Sequence, residues 1–161
     1  MTCNDTDMTS DILIYNILKD SDDPFISKCN VKFIDKSVPA QEDDTIYIAN
    51  MDMESLRETF ETIYYRTSVN IFVKTKDTDY LEGSRFLRTV IKHIKHVLKK
   101  DEICLQRQIT FRRTSYEYGS SYTLKGLHLI VQLMEDESKD LDDDDYSCVR
   151  IDDDEMKIDV E

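Results

Sequence analysis

Glycine and proline are nearly missing from this chain: three Gly and two Pro in 161 residues, where an average sequence of that length carries roughly 11 and 8. That scarcity excludes collagen-like and linker-like chains and weighs against any function built on a glycine-rich phosphate cradle. Tryptophan is absent, and the four cysteines stand singly at positions 3, 29, 104 and 148 with no C-x-x-C pair. Neither a zinc site nor a disulfide framework is written in that spacing, and reduced, isolated thiols are expected. No segment approaches the roughly 18 uninterrupted apolar residues that a membrane span needs, and the acidic start, Met1 to Asp11, has no basic stretch before an apolar one, so neither membrane insertion nor signal-directed export is expected.

The net charge of -13 is unevenly placed. Residues 135–161 hold fourteen acidic side chains against three basic ones, a net of -11, and the first 134 residues are left at -2. The sequence therefore divides into a body, 1–134, with an ordinary charge balance, and an acidic C-terminal tail, 135–161. Blocks of like charge repel one another into solvated arms. A calcium loop opening at Asp142 fails, because its sixth position is Ser147 where glycine is wanted and its twelfth is Asp153 where a bidentate Glu is expected.

Within the body, Thr9, Ser10 and Asp11 are candidate caps for a short helix over residues 8–19 that places Ile14, Ile17 and Leu18 on one face. Val31 and Phe33, then Ile46 and Ile48, alternate with polar residues on either side of a Pro39–Asp44 turn, as two half-buried strands do. Apolar residues at 63, 65, 69, 71 and 73 predict a long strand from Thr59 to Lys76; Met53 to Tyr64 also scores as a turn or two of helix. The strongest helical period runs from Asp79 to Lys100, with Leu87, Val90, Ile91, Ile94, Val97 and Leu98 on one face, acids in the first turn and lysines in the last. Two further strands, Gln108–Tyr118 and Tyr122–Met134, flank a Gly119–Ser121 loop. The expected fold is α+β: a largely antiparallel sheet of about five strands, with a short N-terminal helix and one long helix packed on one side, followed by the acidic extension.

No catalytic motif is present, and no enzyme activity, metal or cofactor is expected. His93 and His96 sit at i, i+3, but Lys92, Lys95 and Lys99 beside them disfavour a bound cation. The prominent feature is a basic ridge, Arg85, Arg88, Lys92, Lys95 and Lys99, at three- and four-residue spacing along the long helix, to which Arg107, Arg112 and Arg113 would add if they lie nearby. Such a ridge is either a plain solvated face or a surface for an acidic partner, the chain's own tail included. A second candidate surface is apolar: Tyr116, Tyr118, Tyr122 and Ile130 on the outer face of the C-terminal hairpin, together with Phe72.

The short N-terminal helix, a strand reading DTIYIANMD from Asp44 to Asp52, a long strand YRTSVNIFVKTKD from Tyr65 to Asp77, a helix opening YLEGS from Tyr80 to Ser84, and a C-terminal hairpin resemble the tail terminator, or tail completion (minor capsid), proteins of long-tailed bacteriophages over residues 8–134. The resemblance is one of element order and length rather than of a fixed motif. It implies a non-enzymatic virion structural protein, made in the host cytoplasm, that forms a homohexameric ring at the head-tail junction. Such a ring caps the tail tube protein, joins it to the head connector or head-completion protein, and meets DNA only in transit through its lumen. No membrane is involved. The alternative is an acidic-tail interaction protein that mimics nucleic acid for a basic partner.

Overall fold

In the computed structural model the described residues are 8–34, 44–77, 79–119 and 122–139. The Pro39 turn, the centre of the Gly119–Ser121 loop, Cys3 and Cys148, and the acidic stretch from Asp140 onward lie outside them.

The long amphipathic segment forms helix α2, Tyr80–Lys100, whose first turn is capped by Asp79 accepting a hydrogen bond from the Glu82 N–H at 3.0 Å. Its buried stripe includes Leu87, Val90, Ile91, Ile94 and Leu98, matching the expected face. Gly83 is required where α2 begins, since a Cβ there would meet the Asp77 carbonyl oxygen at 2.6 Å and Leu124 at 3.0 Å. The short helix α1 is Ser10–Lys19. A third, short helix not expected from the sequence pattern, α3 (Glu102–Gln106), starts at once from Asp101, whose carboxylate accepts from the Ile103 and Cys104 N–H groups, both at 3.1 Å.

Five strands, β1 (Asn30–Phe33), β2 (Thr45–Glu58), β3 (Thr62–Lys74), β4 (Thr110–Tyr118) and β5 (Leu124–Ser138), form one sheet in the order β1-β2-β3-β5-β4. Three pairings are antiparallel, as expected, but β1 lies parallel to β2, with Val31 opposite Ile46 and Phe33 opposite Ile48. Period-two alternation reads alike for either direction, and the stretch between these strands is long enough to carry the chain back. Tyr15 of α1 stacks on Phe33 with ring centroids 4.3 Å apart, holding the short parallel strand at the sheet's edge.

One face of the sheet, carrying Ile46, Ile48, Val69, Ile71, Val73, Leu127, Leu129, Val131 and Leu133, joins the buried faces of α1 and α2 in a single core. Each such aliphatic side chain contributes about 1.5–3 kcal/mol by its burial. Cys29 and Cys104 belong to this core, and burial pushes both thiols up to about 12, well above the ordinary thiol range, so neither is a nucleophile at neutral pH.

The segment Met53–Tyr64 is not helical: it is the end of β2, a turn at Thr59–Glu61, and the start of β3, so the strand expected from Thr59 begins at Thr62. β2 runs on to Glu58, and β5 carries the sheet to Ser138, past the boundary drawn at 134. The first acidic residues after Met134 are therefore parts of the sheet: Glu135 faces Tyr65, and Glu137 faces Ile63.

Candidate functional site

The paired ends of β2, β3 and β5 form an arm. From Asn50 to Glu58 every β2 side chain is exposed, including Met51, Met53 and Leu56, and Phe60 at the turn is 94% exposed. The arm is ordered by its own contacts. Thr59 Oγ accepts from the Thr62 N–H at 3.1 Å across the turn, Arg66 lies 3.6 Å from Glu54, the Arg57 guanidinium covers the Tyr64 ring at 4.4 Å, and the Tyr65 hydroxyl donates to Glu137 at 2.9 Å. β1 pairs with β2 only over Thr45–Ile48, so among the described residues the outer edge of β2 is unpaired beyond Ile48. Two bulges, between Asn50 and Asp52 and between Ser55 and Arg57, twist that edge.

The ridge predicted on α2 divides in two. Toward the helix N-terminus, Arg85 lies 3.9 Å from Glu82, and Arg88 donates to the Tyr116 hydroxyl at 2.5 Å. Toward the C-terminus, Lys92, Lys95 and Lys99, with Lys100 and His96, line a groove of about 510 Å³ beside Phe111 of β4. The Lys95 and Lys99 ammonium groups each sit 5.9 Å from the Phe111 ring centroid. Among the described residues no carboxylate lines this groove. The other arginines do not extend the ridge. Arg107 points at the start of α1, where it donates to the Met8 carbonyl and to Ser10 Oγ. Arg113 is opposite Ile130 and so lies on the face of the sheet away from α2, and Arg112, at a bulge, lines a polar groove of about 460 Å³ with Glu54, Arg66 and Gln132. The strand register around that bulge, which the sequence pattern does not display, sets their direction.

The apolar surface expected from Phe72, Tyr116, Tyr118, Tyr122 and Ile130 is not one patch. Phe72 is 6% exposed, stacked between Tyr47 and His128 with centroids 6.3 and 4.4 Å away. Its ring fills the space above Gly126, where a Cβ would lie 2.5 Å from it. Ile130, half-buried, shares that face. Tyr116 lies on the opposite face, packed against the core and engaged by Arg88, with the Tyr118 ring 6.2 Å from it. Tyr122, 88% exposed, occupies the turn with φ 59°.

The histidines also part company. His93 Nδ1 lies 2.8 Å from Asp23 Oδ2, with the ring tilted over Phe25. Burial acts to raise the Asp23 carboxyl, but the hydrogen bonds from His93 and from the Ile26 and Phe25 N–H groups outweigh it and hold the group below its ordinary value. His128 has Glu117 at 2.6 Å and Asn70 at 3.2 Å, one at each ring nitrogen. Among the described residues no three His, Cys, Asp or Glu side chains are grouped to hold a metal ion, and no helix is long and apolar enough to cross a membrane.

Neither the arm nor the Phe111 floor of the lysine groove is among the surfaces expected from the sequence. Met51 and Met53 alternating with Asp52 and Glu54 was the available signal for the arm. No protein-family model and no curated protein matches the chain.

Proposed function

We propose that this chain is a non-enzymatic assembly subunit that joins copies of itself, sheet edge to sheet edge, into a ring. The ring would be the one implied by the resemblance to phage tail terminators: seated on a tail tube protein, meeting a head connector on its far side, with DNA only passing through its lumen. The observation that carries the reading is the pair of open edges. Among the described residues the outer edge of β2 is unpaired from Ala49 to Glu58, and β4, Thr110–Tyr118, pairs only with β5. At about 3.3 Å per residue both edges are roughly 30 Å long. The β2 edge carries Asp52, Glu54 and Glu58 against Arg57, and the β4 edge carries Arg112 and Arg113 against Glu117. Unlike and complementary edges make a head-to-tail contact, which closes into a ring when the rotation per copy divides the circle. Met51, Met53 and Leu56 supply the apolar surface such a contact would bury.

Negative-stain imaging of the purified full chain tests this. Closed rings of one size, sixfold if the resemblance holds, are expected. A monomer that competes with DNA for a basic protein would instead favour nucleic-acid mimicry and contradict the ring.

A further inference from the structure

The lysine groove between α2 and Phe111 has four ammonium groups and an aromatic floor, and among the described residues none of Lys92, Lys95, Lys99 and Lys100 has a carboxylate within ion-pairing distance. Four cations of one sign along two turns repel one another and concentrate positive potential in the groove, which suits an extended acidic peptide with an apolar side chain to set on the ring. Residues 140–161 of the same chain carry eleven acids against two basic residues, in two blocks, Asp142–Asp145 and Asp152–Glu155.

Chain length decides between the blocks. Phe111 is opposite Val131, and β5 then runs away from the groove to its last residues on the arm. The eight residues from Val131 to Lys139 carry the chain about 26 Å from the groove. From Lys139, Asp142–Asp145 can return at most about 10–20 Å, which falls short, whereas Asp152–Glu155 can return about 43–53 Å, which suffices. The second block also has an apolar residue on each side, Ile151 and Met156, that reaches the ring with chain to spare, whereas Tyr146, the farther flank of the first block, returns at most about 25 Å from Lys139.

We propose that Asp152–Glu155 docks in the Lys92–Lys100 groove of its own chain, with Ile151 or Met156 seated on Phe111. The contact holds for an isolated chain and does not rest on the ring. It is electrostatic and therefore weakens steeply with salt. It is also intramolecular, so the tethered block is present at high effective concentration and outcompetes added peptide.

The test uses the full chain and a fluorescein-labelled peptide of residues 148–161, followed by anisotropy at low salt. The wild type is expected to bind the peptide weakly. A variant with Asp152→Asn, Asp153→Asn, Asp154→Asn and Glu155→Gln is expected to bind it about tenfold tighter or better. Adding Lys95→Glu and Lys99→Glu to that variant, or raising the salt, removes the binding. Equal binding by wild type and neutralised variant overturns the proposal. A larger gain from neutralising Asp142–Asp145 overturns the choice of block, and peptide binding to the wild type that rises on dilution overturns the assignment to the same chain. Preference of the opened groove for duplex DNA over the peptide shows that the occupant is different.

Discussion

Glu135, near the end of the last strand, accepts a hydrogen bond from the backbone N–H of Ser10, so a carboxylate from β5 caps the first helix. Thr9, the residue at the cap position, makes no side-chain cap of its own. Arg107 completes the arrangement, 4.0 Å from Glu135 and bonded to Ser10 Oγ, with both charged side chains about nine-tenths buried at 11% and 10% exposure. The first and last elements of the fold are thus tied together through Ser10, which is bonded to both members of one buried ion pair.

Removing the Glu135 carboxylate strips the cap and leaves the Arg107 guanidinium buried without it. Glu135→Ala is expected to cost about 3 kcal/mol, measured by urea unfolding, with Glu135→Gln costing less because an acceptor for the Ser10 N–H remains. By the same logic, a chain ended after Lys139 should melt near the full-length temperature, whereas one ended after Met134 should melt well below it.

Thr67 presents the opposite case. Its hydroxyl is buried on the core face of β3 and, among the described residues, has no hydrogen-bond partner. Thr67→Val keeps the shape and removes the unsatisfied group, and is expected to stabilise the fold by about 1 kcal/mol in the same unfolding assay. A loss of stability would mean that the hydroxyl is bonded in solution.

Asp23 sets a pH dependence. Its folded carboxyl lies below the ordinary value of 3.8, so the folded state favours the charged form and the unfolded chain binds its proton first. The contribution is present in full above that ordinary value and is lost as the pH falls through the folded value. The stability gap between wild type and Asp23→Asn should accordingly close in strongly acidic solution. A gap that stays open in strongly acidic solution, below the folded value, would contradict the His93–Asp23 geometry.

How much of this was legible in the sequence follows from what each pattern encodes. The α2 stripe from Leu87 to Leu98 and the inward alternation Leu127, Leu129, Val131 and Leu133 were readable because burial repeats at the period of the element. The parallel direction of β1 was hidden, since alternation carries no direction. The arm was marked only in part: Met51 and Met53 alternate with Asp52 and Glu54, but the period breaks at Leu56, at a bulge, and all three apolar side chains are exposed. Arg85 to Lys99 on one helix face was visible, but the strand register that brings Phe111 beneath Lys95 and Lys99, and turns Arg112 and Arg113 to the other side of the sheet, was not. The acids Glu135 and Glu137 looked like tail by composition and belong to the sheet by hydrogen bonding.

The proposed head-to-tail contact between the β2 edge and the β4 edge can be checked by complementation in light scattering. One variant carries Met53→Lys and Leu56→Lys and so keeps only a working β4 edge; the other carries Arg112→Glu and Thr114→Pro and keeps only a working β2 edge. Alone, each should run as a 19.0 kDa monomer, and circular dichroism is compared with wild type to show that each variant is folded. Mixed in equal amounts, they should form a dimer that grows no further, since each partner offers one competent edge. Rings formed by either variant alone, or no association on mixing while the wild type assembles, would contradict the account.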